Sequence, residues 1–188
     1  TKELTDADTL TRFKEIENSE WLKSIKDTMS EDKWPDECAR CQQSERVKGE
    51  SIRTNSIARH KMLHPIRKDY LIVGGVLDNI CNSACQSCNA GLSTKIGSLG
   101  SKNYPRVDNY DVFKKLPLDR VIELDVNGGE PTASKNYKKV LTELPVNTKI
   151  VRMNTNGSRM IKEIEDVLKR NIMVIVTMSL DGVGKVHD

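Results

Sequence analysis

The stretch Tyr70-Leu-Ile-Val-Gly-Gly-Val-Leu-Asp-Asn-Ile-Cys81-Asn-Ser-Ala-Cys85-Gln-Ser-Cys88 decides how this chain is read. Its first part, 70–77, is an apolar run of strand length, the pattern of a buried parallel strand. Directly beyond it come three cysteines in a Cys-x3-Cys-x2-Cys spacing. Three thiolates on one loop can hold three irons of a cubane iron–sulfur cluster. The fourth iron then lacks a protein ligand. An open metal position is where chemistry takes place, by the logic that separates catalytic from structural zinc. Cysteines at the mouth of a strand also stand where α/β folds place their active sites.

Working outward from this stretch, the chain after residue 69 alternates strand and helix. Strands are predicted at 70–77, 120–126, 148–154 and 172–180, each a short aliphatic, β-branched run between turn residues. Helices are predicted at 108–116, capped by Asp108, at 134–144, capped by Ser134, and at 158–170, opening with Ser158. Connections of roughly 25–45 residues suit βαβ crossovers and a parallel sheet. The expected class is therefore α/β. The ends of the later strands are polar: Asp125-Val-Asn-Gly-Gly-Glu-Pro131, Arg152-Met-Asn-Thr-Asn-Gly157 and Met178-Ser-Leu-Asp-Gly182. Each alone favours a plain turn. In order, after the cysteines, they point at one shared site beyond the carboxyl ends of the strands.

On these residues the chain resembles the radical S-adenosylmethionine (radical SAM) superfamily, whose signature is the Cys81, Cys85, Cys88 spacing. The resemblance implies a 4Fe-4S cluster on these three cysteines whose open iron chelates the amino and carboxylate groups of SAM. It implies reductive cleavage of SAM and removal of a hydrogen atom from a substrate, with a flavodoxin or ferredoxin as reductant. It implies a partial (βα) barrel, of which about four units are counted here. Gly128, Gly129 and Glu130 match the family's Gly-Gly-Glu motif, with Glu130 accepting from the SAM ammonium. Ser179, Asp181 and Asn156 are expected at the ribose hydroxyls. Ser87 stands where the family usually carries an aromatic residue. No catalytic side chain is assigned beyond the cluster ligands.

The chain is expected to divide near residue 65, into 1–65 and 66–188. In the first part, 7–29 reads as one helix with Asp6 or Asp8 as N-cap. Cys38-Ala-Arg-Cys41 follows Trp34-Pro35, and 44–68 reads as loops with short helical pieces. This part resembles the cysteine-bearing segments of radical SAM proteins with SPASM or twitch domains. That likeness implies that Cys38 and Cys41 ligate an auxiliary 4Fe-4S cluster, which requires two further thiolates. The second part, 66–188, corresponds to the beginning of the barrel.

Composition sets bounds on the rest. The 188 residues are 37% hydrophobic and 30% charged, as in a globular protein. A net charge of +3 with 4% aromatic residues does not call for a nucleic-acid partner. No apolar run reaches the roughly 18 residues of a membrane span. Five cysteines at these spacings suggest reduced, metal-binding thiols and a cytoplasmic setting rather than a disulfide framework. Thr1 and Asp188 read as cut ends of a longer protein. A different class stays open: Cys38-x2-Cys41 and Cys85-x2-Cys88 can pair as a zinc site in a binding module without catalysis. The substrate, peptide or small metabolite, is not legible. His60 and His64 read as surface residues.

Overall fold

A computed structural model describes residues 6–63, 65, 69–100 and 104–180. The chain divides into two compact units, Thr1–Tyr70 and Leu71–Asp188.

The first unit is helical. The single helix expected over 7–29 is two: α1 (Asp6–Glu17) and α2 (Glu20–Ser30). The break has a local cause. Asn18 Nδ2 donates to Lys14 O and Ser19 Oγ to Ile16 O, closing α1, while Ser19 Oγ accepts from Leu22 N and opens α2. Short polar side chains compete with the helical ladder in this way. Since α1 starts at Asp6, Asp8 lies inside it. The expected loops over 44–68 are corrected more strongly. Helices α3 (Ala39–Lys48) and α4 (Ile52–Leu63) cover most of that span. Neither has a marked apolar stripe, so hydrophobic periodicity could not reveal them. They are fixed by their ends instead. Gly49 takes the left-handed conformation, φ 74°, beyond α3, and its N–H caps Glu45 O. Ser51 and Thr54 exchange hydrogen bonds at the start of α4, and Arg53 grips Glu45 with two bonds of 3.0 and 2.6 Å.

The second unit is mixed α/β. Strands β1 (Leu71–Val76), β2 (Val121–Asn127), β3 (Ile150–Thr155) and β4 (Met173–Met178) form one four-stranded sheet in the order β1-β2-β3-β4, every pair parallel. All four lie within a residue or two of their expected positions. The order never reverses, so successive strands step in one direction across the sheet. Helix α5 (Thr94–Gly100), not foreseen, and α6 (Tyr110–Lys114) connect β1 to β2. Helix α7 (Lys135–Thr142) follows β2 and α8 (Lys162–Lys169) follows β3.

Ser134 caps α7 as expected, its Oγ accepting from Tyr137 N at 2.9 Å. The other two expected caps shift. Helix α6 begins at Tyr110, with Asn109 at the cap position; Asp108 Oδ1 instead accepts from Tyr110 N in a short turn. Ser158 does not open α8, which starts at Lys162 after Ile161. Residues 156–160 are held in a loop by contacts described below, and the helix begins only after them.

Period-2 alternation on β2 and β3 separates two faces. Leu124, Val126, Val151 and Met153 point to a core shared with Phe113 of α6, Tyr137, Val140 and Leu141 of α7, and Ile164 and Val167 of α8. The opposite face of these strands carries Glu123, Asp125, Asn127, Arg152 and Asn154. Glu123 is fully buried there and ion-paired to Arg152 Nε. The helices therefore cover one face, and the other is polar. Leu124 is 1% exposed at the centre of the core. Leu124→Ala is expected to cost about 2–5 kcal/mol, through lost burial and a residual cavity. Urea unfolding of the whole chain checks this, and a change below about 1 kcal/mol would mean that the core lies elsewhere.

Candidate functional site at the strand ends

The cysteine loop leaves β1 at Leu77 and is anchored along its length. Asn79, 1% exposed, donates from its side-chain amide to Pro105 O at 2.8 Å and Gly91 O at 3.2 Å, and accepts from Val107 N at 3.0 Å. A buried amide satisfied from three sides fixes the segments around it. Asp78, also buried, accepts from Ile80 N at 3.1 Å and from Ser134 Oγ at 2.5 Å. Thr94 Oγ1 accepts from Cys81 N at 3.1 Å, and Ser93 Oγ donates to Ser83 O at 2.8 Å. Between these anchors a tight turn brings Cys88 N to Cys85 O at 3.1 Å.

None of Cys81, Cys85 and Cys88 is in a disulfide, and all three are half-buried. Ser83 N approaches Cys81 Sγ at 3.4 Å, an N–H aimed at sulfur of the kind that steadies a thiolate. Among the described residues, no three His, Cys, Asp or Glu side chains converge closely enough to hold a metal ion. The donor set nevertheless fits an iron–sulfur cluster in its chemistry. Three accessible, unbridged thiols lie within eight residues on a loop pinned at both ends.

The turn after β2 is packed directly on this loop. Gly129 N donates to Asp78 O at 3.0 Å and Glu130 N to Ile80 O at 2.7 Å. A Cβ on Gly128 would stand 2.2 Å from Asp78 O, and one on Gly129 2.3 Å from Ile80 O. Both contacts are with backbone, which cannot rotate away, so only glycine allows this approach. The two glycines thus pack against the base of the cysteine loop.

Glu130 is 2% exposed. Its Oε1 accepts from Thr132 N at 3.0 Å, Thr132 Oγ1 at 2.6 Å and Thr155 Oγ1 at 2.6 Å. Its Oε2 accepts from Asn156 N at 2.7 Å. Burial pushes this carboxyl up, but the hydrogen bonds from Asn156, Thr132 and Thr155 together outweigh burial and hold it below its ordinary value. An ionised carboxylate therefore joins the ends of β2 and β3.

Asn156 lies beside it, half-buried. Its side-chain amide donates to Asn82 Oδ1 at 3.0 Å and Ser83 Oγ at 2.7 Å, both in the cysteine loop. Ser179, at the end of β4, is exposed; its N–H is bonded to Thr155 O at 2.8 Å. Asp181 and His64 fall outside the described residues.

Cys38 and Cys41 belong to the first unit. Cys38 caps α3 and Cys41 sits in its first turn, both free and half-buried. Glu45 is one turn further along the same helix. Arg53 is bonded to Glu45 and stacks on Trp34 at 4.5 Å.

The sequence did not single out Asp78, Asn79, Asn82, Ser83, Thr94, Thr132 or Thr155, which hold this site together, and it marked Ser134 only as a helix cap. The available signal was their density: small hydrogen-bonding residues cluster around the cysteines and the Gly-Gly-Glu turn.

Over 102 residues the chain is 28% identical to mycofactocin maturase MftC of Mycolicibacterium smegmatis, a match covering 54% of this chain and 25% of that protein. No protein-family model and no solved structure matches the chain. Among the described residues no helix is long and apolar enough to cross a membrane.

Proposed function

We propose that the chain is part of a radical SAM enzyme. The carrying observation is the placement of three cysteines, none in a disulfide, on a loop clamped between Gly128, Gly129, Glu130 and Asn156 at adjacent strand ends. The similarity to mycofactocin maturase MftC supports the same superfamily in general terms. A sheet whose strands step one way, with helices on one face and polar side chains on the other, suits an arc of a (βα) barrel.

In this reading Cys81, Cys85 and Cys88 ligate a 4Fe-4S cluster. When bound, the cluster supplies the electron that cleaves SAM. The chain itself positions the SAM. Glu130 is held ionised, and its Oε2 has one donor against three on Oε1. That oxygen retains acceptor capacity for the SAM ammonium. Ser179 and Asp181 are assigned to the ribose diol, with Asn156 close by. The polar sheet face of Asp125, Asn127, Arg152 and Asn154 borders the space where substrate would lie. The substrate is a peptide or small metabolite, the reductant a flavodoxin or ferredoxin, and the setting cytoplasmic. Cys38 and Cys41 contribute two ligands to an auxiliary cluster in a SPASM- or twitch-like segment.

Anaerobic reconstitution with iron and sulfide, read by EPR after dithionite reduction, tests this. A reduced 4Fe-4S signal that changes shape on adding SAM is expected. Cys85→Ala should abolish the SAM-responsive signal, whereas Cys38→Ala should retain it. Zinc bound in place of iron, with no SAM effect, would sink the proposal and favour a binding module.

A further inference from the structure

Asn156 is bonded on every side. Its backbone N–H donates to Glu130 Oε2 at 2.7 Å. Both amide hydrogens go to the cysteine loop, to Asn82 Oδ1 and Ser83 Oγ. Its own Oδ1 accepts from Ser158 N at 2.9 Å, and Ser158 Oγ accepts from Asn82 Nδ2 at 2.9 Å. The side chains of Asn82 and Asn156, with the hydroxyl and backbone N–H of Ser158, so close a ring between the cysteine loop and the loop after β3. Ser83, the other partner of Asn156, directs its N–H at Cys81 Sγ at 3.4 Å. A continuous path of contacts therefore runs from the Glu130 carboxylate, through Asn156, to Ser83 and the first thiol of the triplet. Neighbouring polar groups arranged in series polarise and orient one another.

We propose that Asn156 is a positioning residue: it locks the cysteine loop to the ends of β2 and β3, and it couples the group bound at Glu130 to the setting of Cys81. The lock stands on the hydrogen bonds alone. The coupling rests on the radical SAM reading, in which Glu130 receives the SAM ammonium and Cys81 an iron. A donor that draws on Glu130 Oε2 competes with the Asn156 N–H for that oxygen or reorients it, and the amide on the same residue carries that change to the loop. Linkage is reciprocal, so the state of the loop also alters affinity at Glu130.

Two measurements on the whole chain separate these statements. In metal-free, reduced protein, iodoacetamide labelling is followed cysteine by cysteine by mass spectrometry. Asn156→Ala should speed the labelling of Cys81 about tenfold, the size expected for losing one or two net hydrogen bonds. Cys38 and Cys41 should label at unchanged rates. Asn156→Asp, which keeps the acceptor towards Ser158 N and loses both amide donors, should behave alike. Ser83→Ala, which removes only one link, should show a smaller acceleration and serves if the Asn156 variants fold poorly. Unchanged Cys81 labelling in all three variants, with an unaltered circular dichroism spectrum, overturns the lock.

In the reconstituted protein, Asn156→Ala should still give the reduced cluster signal but need about tenfold more SAM for the same EPR change. An unshifted SAM titration overturns the coupling. A wild-type chain that takes up no cluster overturns the radical SAM reading and the coupling with it, while the labelling result still decides the lock.

Discussion

Gly129→Ala is expected to destabilise the second unit by about 3 kcal/mol or more and, in the proposed radical SAM reading, to abolish iron uptake by the cysteine loop. The added methyl would meet Ile80 O at 2.3 Å, Ile80 C at 2.6 Å and Asn79 C at 2.8 Å. All three atoms belong to backbone that is itself pinned. Asn79 is bonded to Gly91, Pro105 and Val107, and Ile80 O receives Glu130 N. Relief requires the turn and the loop to separate, which breaks the Glu130 N–H bond and shifts the segment entering Cys81. Gly100→Ala is the control, since a Cβ at that position meets nothing within 4 Å; it should change stability by less than about 0.5 kcal/mol. Urea unfolding and iron content after reconstitution check both. A Gly129→Ala protein as stable as Gly100→Ala would mean that the turn does not rest on the loop.

Removal of the Glu130 carboxylate should have a comparable effect. Glu130→Ala strands the N–H groups of Thr132 and Asn156 and the hydroxyls of Thr132 and Thr155 in a site that is 2% exposed. Unsatisfied buried donors of this number should cost about 3–5 kcal/mol, allowing for partial relaxation. Glu130→Gln keeps the shape but turns an N–H2 group towards donors, and an intermediate loss is expected. The wild-type carboxyl is held below its ordinary value of 4.5. A depressed carboxylate favours the folded state fully above the unfolded value, and this contribution is lost as pH falls through the folded value. Stability should therefore decline from about pH 5 downward, and the decline should be shallower in Glu130→Gln. Parallel acid limbs for the two proteins would show that the fold does not depress the Glu130 carboxyl.

The parallel sheet was legible because its strands are short aliphatic runs with turn residues on either side, and every one appears where the pattern placed it. Ser134 was legible as a cap because a serine precedes an amphipathic run. The polar helices α3 and α4 were not, since capping bonds and the Arg53–Glu45 pair hold them where hydrophobic periodicity is silent. Ser158 read as the start of a helix because serine is a good N-cap; in the fold it answers to Asn156 and Asn82 instead. At the site, sequence spacing brought out the cysteines and the Gly-Gly-Glu turn. It gave no sign that the glycines press on Asp78 and Ile80, because that packing depends on a contact between segments about fifty residues apart. Nor could it show that Glu130 already collects hydrogen bonds from Thr132, Thr155 and Asn156.

The bonds from Asn156 to Asn82 and Ser83 span 74 and 73 residues of sequence. On a ribosome this separation becomes a delay. At about 5–20 residues per second, Ser83 is made roughly 4–15 s before the asparagine that holds it. Through that whole interval the three thiols ride on a nascent chain without Asn156, and for most of it without Glu130 as well. Metallation before that point would meet an unset loop. In the proposed reading, cluster delivery is accordingly expected to follow completion of β3, and chains arrested before residue 156 should emerge with Cys81, Cys85 and Cys88 open to oxidation and mispairing.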